Sequence, residues 1–196
     1  QLDDKSLAIV AYEEILESAF DEKTAEAVAK LYAATERWGD LISLYERELG
    51  IDATTAHRRA HLHYSLGKVH EEKLGEIERA FDEYQAALKQ ELQHAPTVAA
   101  VEALLEAKVQ PARAAEMLEK VYLARLDWEK VIYALRARLV VSEEAEERRD
   151  ILSRLAKIQE EQTEDFKGAL DSVASLLAEG VTDESTWHEL ERVAQV

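Results

Sequence analysis

Apolar positions along the chain recur at three- and four-residue steps almost from end to end. In "SLAIVAYEEILESAF", Leu7, Val10 or Ala11, Ile15 and Ala19 form one stripe on a helix. The same spacing predicts helices over about 5–20, 22–36, 38–50, 54–74, 76–92, 96–108, 111–126, 128–141, 143–163, 165–179 and 184–195, with ends uncertain by two to four residues. No stretch alternates as a strand does. Gly50, Gly75 and Gly180 follow apolar-periodic segments, where a left-handed residue ends a helix. Pro96 and Pro111 stand where a first turn tolerates a missing N–H. Connections are short, so successive helices are expected to run antiparallel as hairpins.

The pattern is doubled. "AEAVAKLYAATERW" (Ala25–Trp38) returns as "AEMLEKVYLARLDW" (Ala115–Trp128), offset by 90 residues. "LGKVHEEKLGEIERAFDEYQAAL" (Leu66–Leu88) returns as "LAKIQEEQTEDFKGALDSVASLL" (Leu155–Leu177), offset by 89. The single residue of difference falls in the loops "GIDATTAH" and "VVSEEAEE". The internal repeats are read as 22–108 and 111–196, in one continuous unit over 1–196. A smaller face recurs within them: Ala8, Tyr12, Leu16; Leu41, Tyr45, Leu49; and Ala80, Tyr84, Leu88. Small Ala80 and Ala169 suit a close helix crossing. The helix at 96–108 finds no mate by motif, and five helices per block break strict hairpin alternation. An irregularity is therefore expected near 95–112.

Leu66, Gly67, Gly75, Ala80, Tyr84, Ala87 and Leu88 follow the order of the tetratricopeptide repeat, which this chain resembles. One extra residue lies between Gly67 and Gly75. In the second copy Gly67 becomes Ala156 and Tyr84 becomes Val173, and Trp38 and Trp128 open helices where the family often has an aromatic residue. "W…LYERELG" and "EEKLG…ERAF…Y" are also similar to long bacterial arrays of myxobacterial type. The resemblance implies an all-α, right-handed α-solenoid of antiparallel hairpins, about eleven helices, whose concave face holds a peptide or partner protein. Carried over residue by residue, partner-binding positions fall on His61, Tyr64, Lys68 and Glu71, and in the second copy on Asp150, Ser153, Lys157 and Glu160. Lys68 and Lys157 either hold acidic groups or pair with Glu72 and Glu161 at i+4. The further Lys and Asn residues of a two-carboxylate clamp are missing.

Composition narrows the function. The net charge of −17 argues against nucleic acid and anionic lipid as ligands. Without cysteine, disulfides, zinc-thiolate sites and thiol catalysis drop out. No apolar run approaches the ~20 residues of a membrane helix, and "QLDDKSLAIV" lacks a signal peptide's form. A cytoplasmic location is favoured, and a start without methionine reads as a piece of a longer array.

The one stretch that hints at chemistry is "HRRAHLHYSLGKVHEE" (His57–Glu72), with four of six histidines. His57 and His61 share a face; His70 lies roughly 13–14 Å further along the axis, too far to complete a zinc site with them. The second copy keeps none of the four. A metal site on this helix is thus the minor alternative, and no cofactor is expected. Nucleophile elbows and phosphate-cradling loops are absent. The expectation is a non-catalytic interaction scaffold; the alternative of another class is an architectural spacer or self-assembling module joined through its end helices, with Trp187, Leu190 and Val193 on the last.

Overall fold

The structure is a computed structural model and describes residues 2–180, 187, 188 and 190–192. Within them it is all-helical. Ten α-helices follow in order: α1 Leu2–Ser18, α2 Glu22–Ala34, α3 Trp38–Leu49, α4 Ala56–Val69, α5 Ile77–Gln90, α6 Ala95–Glu106, α7 Pro111–Arg125, α8 Trp128–Val141, α9 Ala145–Glu161 and α10 Phe166–Ala178. Trp187, His188 and 190–192 are also helical, and Trp187 is half-exposed. Val193 lies outside the described residues.

Two compact units divide the chain, Gln1–His94 and Ala95–Val196. In the first, α1 packs on α2, α2 on α3, α3 on α4 and α4 on α5; in the second, α6 packs on α7, α7 on α8, α8 on α9 and α9 on α10. The division opens the stretch where an irregularity is expected. It also gives α6 its counterpart. Tyr32 of α2 donates to Glu13 of α1, and Tyr122 of α7 donates to Glu102 of α6 at 2.7 Å. Buried Ile9 and Leu16 correspond to buried Val98 and Leu105. The correspondence between copies therefore runs back through α1, before the 22–108 block, and through α6, which the motifs had put at the end of that block and which pairs instead as the start of the second copy.

The same hydrogen bonds hold both copies. Arg59 donates to Leu49 O at 2.9 Å and Arg148 to Leu139 O at 3.0 Å, each covering the open carbonyl end of the preceding helix. Glu76 N bonds His70 O, and Asp165 N bonds Gln159 O. Left-handed residues match too: Glu36 with Leu126, and Gly75 (φ 69°) with Glu164 (φ 53°). The extra residue before Gly75 appears as a π-helical turn, His70–Leu74, continuing α4.

Two expectations need correcting. Gly50 ends α3 with φ −72°, in the right-handed region, so α3 stops without a left-handed residue, while Gly75 and Gly180 are left-handed. In α1 the stripe Leu7, Val10, Ile15 faces outward, 70%, 52% and 48% exposed, and Ile9 and Leu16 are the buried pair. A helix with two apolar faces gives periodicity no means to choose between them.

The α4–α5 crossing is a close one. A Cβ on Gly67 would sit 2.4 Å from Tyr84 Cε1, so the ring occupies the place of the missing side chain. At the second crossing the pair is Ala156 and Val173, both buried. A bulkier residue on one helix goes with a smaller one on the other, and Ala80 and Ala169 are fully buried beside them. Gly67→Ala should therefore cost about 1–3 kcal/mol by overpacking, and adding Tyr84→Val should recover part of it. Urea unfolding of both singles and the double gives the coupling; strict additivity would contradict the contact. Glu164→Gly should raise stability by about 1 kcal/mol, since a left-handed non-glycine residue is strained by that order; thermal melts measure it.

Candidate functional site

α2 and α4 flank an open groove of about 350 Å³ in the first unit, with α3 beneath. Ala25, Ala29 and Ala33 come from α2, Tyr45 from α3, and Arg58, His61, Leu62 and Ser65 from α4, with Glu26 and Lys30 on the rim. Helical spacing explains the set: 25, 29 and 33 step by four along one side of α2, and 58, 61, 62 and 65 share one side of α4 at three- and four-residue spacings. Ala25, Ala29 and Leu62 are buried, so the floor is apolar.

The polar wall is fixed by one ion pair. Glu48, 3% exposed, receives two bonds from Arg58 at 2.6 and 3.1 Å. Arg58 also reaches Glu26 at 3.0 Å and Glu22 at 3.4 Å. In the second unit the corresponding pair is Arg138 and Glu147, at 2.8 Å, with the charges exchanged between helices. There Glu119, which corresponds to Ala29, is buried and held by Arg138 at 2.8 Å and by Arg154, the counterpart of Ser65.

Of the positions carried over from the family pattern, His61 lines the groove. Tyr64 lies instead toward α5, its ring 6.3 Å from Tyr84 and 5.9 Å from His94. Glu71 accepts from Tyr84 and sits 3.3 Å from Lys68. Lys68 pairs with Glu72 at 2.5 Å, the i+4 contact expected. The matching Lys157–Glu161 pair is not formed; Lys157 is exposed and has no ion pair among the described residues. Asp150 lies 3.9 Å from Arg154, Ser153 is exposed, and Glu160 binds Arg192, which lowers its carboxyl pKa. The α2 residues and Ser65 escape motif reading. Their signal is in the offset: alanine and serine face glutamate and arginine at the same registers.

The histidine helix builds a ring cluster. His57 and His61 each lie about 6 Å from the buried His94, at 6.0 and 6.1 Å between centroids. His57 meets Glu91 at 2.7 Å, His63 meets Glu83 at 2.7 Å, and buried His70 meets Glu76 at 2.8 Å. His70 corresponds to Gln159, also buried, whose amide lies 2.7 Å from Ser172 Oγ. That position is thus polar in both copies. Among the described residues no group of three or more His, Asp or Glu is placed to hold a metal ion. No described helix is long and apolar enough to cross a membrane.

No family model and no curated protein matches the chain. Among solved structures it is similar to the crystal structure of PilW, a widely conserved type IV pilus biogenesis factor, at 17% identity, over 98% of this chain and 91% of that one, with a TM-score of 0.37. A likeness of that size bears no functional weight.

Burial lowers the pKa of His61 and of His94, with the neighbouring cations and imidazoles adding to it for His61 and Glu91 opposing it for His94. Folding therefore favours the neutral form of both imidazoles. Their contribution is complete above the unfolded value near 6.5 and is lost as pH falls through that value toward the lowered folded one. Melting temperature should drop as pH falls below about 6.5, and His94→Gln should make that drop shallower. An equal slope in the variant would remove the cluster from the account.

Proposed function

We propose that this chain is a non-catalytic protein-interaction scaffold that binds a peptide or a partner protein on its helical-repeat surface, with the α2–α4 groove of the first unit as the binding place. The observation that carries this reading is the open groove, apolar at its floor and charged at its rim, between helices of the kind that bear ligand contacts in repeat proteins. A volume of about 350 Å³ accepts one or two large side chains and is at the lower limit of small-molecule sites. Neither nucleic acid nor membrane suits a chain of net charge −17.

A second reading rests on a different surface. The outward Leu7, Val10 and Ile15 of α1 are an exposed apolar face, which fits a spacer or self-assembling module. Light scattering over a concentration series separates the two: a monomer throughout leaves the scaffold, and growth of the particle without any foreign partner favours assembly. For the leading reading, immobilised chain should recover protein partners whose binding protects α2 and α4 amides from hydrogen exchange. Recovery of no protein, together with turnover of a small molecule, would overturn it.

A further inference from the structure

The two units fill one space in two ways, and the difference points to the chemistry of the groove's ligand. In the second unit the carboxylate of Glu119 and the guanidinium of Arg154 meet between α7 and α9. Ala29 and Ser65 stand at those registers in the first unit, and the space stays open. Its floor is apolar and suits a bulky side chain.

The rim supplies the charge. Lys120 of the second unit pairs with Glu116 at 2.9 Å, an i,i+4 contact along α7. Its counterpart Lys30 has Glu26 at the same spacing, but Glu26 is turned to Arg58 at 3.0 Å. Arg58 can take it because this copy carries arginine where the other carries Glu147. Lys30 is thereby left exposed with no ion pair among the described residues. Lys23, seven residues earlier on α2, is exposed and equally without an ion pair; the two are about 10 Å apart along the axis. Both also line an adjoining groove of about 400 Å³ with Tyr12, Glu26, Ala27 and Leu31, between α1 and α2. Glu22, Glu26 and Glu48 are all drawn to Arg58, so Lys30 and Lys23 are the basic groups of this rim that no carboxylate reaches within ion-pair distance among the described residues.

We infer that the α2–α4 groove takes an acidic polypeptide segment, which inserts one bulky apolar side chain over Ala29 and Ser65 and sets its carboxylates against Lys30 and Lys23. This inference rests on the scaffold reading and adds the ligand's chemistry to it. The segment supplies the volume that Glu119 and Arg154 supply in the second unit, and a carboxylate for Lys30 such as Lys120 has in Glu116.

The test is selection of a displayed random dodecapeptide library on the whole chain, followed by titration of synthetic versions of the enriched peptides. Enriched peptides should carry at least two Asp or Glu and one Phe, Trp or Leu. Lys30→Glu, on an exposed residue that leaves the fold intact, should weaken them about tenfold or more, of the order of a lost charge-assisted contact. Ser65→Arg, which installs the other unit's side chain, should weaken them while leaving the circular dichroism unchanged. Raising salt should weaken binding as well. Basic or uncharged peptides, or binding indifferent to Lys30→Glu, would overturn the inference and leave the scaffold reading in place. Absence of any enrichment counts against the scaffold reading itself, and the inference falls with it.

Discussion

Packed helices leave a fixed gap between them, and the gap has to be filled to nearly crystal density. Everything distinctive in this chain follows from how its two copies meet that demand. At the α4–α5 crossing a glycine admits a tyrosine ring; at the α9–α10 crossing an alanine meets a valine. The backbone path is kept while the volume moves from one helix to the other. Between α7 and α9 the gap holds Glu119 and Arg154. Between α2 and α4 it holds Ala29 and Ser65, which do not fill it.

Charge obeys a second demand inside the same gaps. A buried carboxylate without a partner costs several kcal/mol, so it is either paired or replaced. Glu48 and Glu119 are both nearly inaccessible and both held by arginine. The Glu48–Arg58 and Arg138–Glu147 pairs show that which helix carries which sign is free, provided both change together. That freedom has a consequence outside the core. With arginine on α4, Glu26 is drawn away from Lys30; with glutamate on α9, Glu116 stays on Lys120. An internal exchange of sign thus alters the charge presented at the surface.

Much of this was written in the order of residues, and some of it was not. Helix positions follow from apolar periodicity because each helix buries at least one stripe; Trp38 and Trp128 open α3 and α8 where the pattern put them. The match between α1 and α6 was hidden because few identities survive there, among them Glu13 with Glu102 and Leu16 with Leu105, and their shared role shows only when the tyrosines of α2 and α7 reach them. The stripe of α1 misled because Leu7, Val10 and Ile15 are as apolar as Ile9 and Leu16, and only packing distinguishes them. His61 was found by family pattern, whereas Ala29 and Ser65 were invisible to it. Small residues announce nothing in one copy; they become informative against the charged residues of the other. His70 and Gln159 show the same thing from the polar side, since loss of the imidazole was not loss of the polar position.

Opening a gap need not destabilise a hairpin, and the magnitudes show how. Removing one member of a buried ion pair costs about 3–5 kcal/mol, because the other is stranded. Removing both together with their charges is close to neutral, since the desolvation of each ion had offset most of their attraction. Ala29 and Ser65 lack both charges together, so no ion is stranded, although they leave the volume open. Neither leaves an orphan: no buried side-chain polar atom lacks a hydrogen-bond partner among the described residues. The first unit keeps its fold through Glu48–Arg58, the Gly67–Tyr84 contact and the Arg59 cover on α3, none of which requires the gap to be full. A groove whose walls are already held by these contacts is formed before anything enters it. What the ligand must overcome is its own ordering, and the displacement of water from an apolar floor works in its favour.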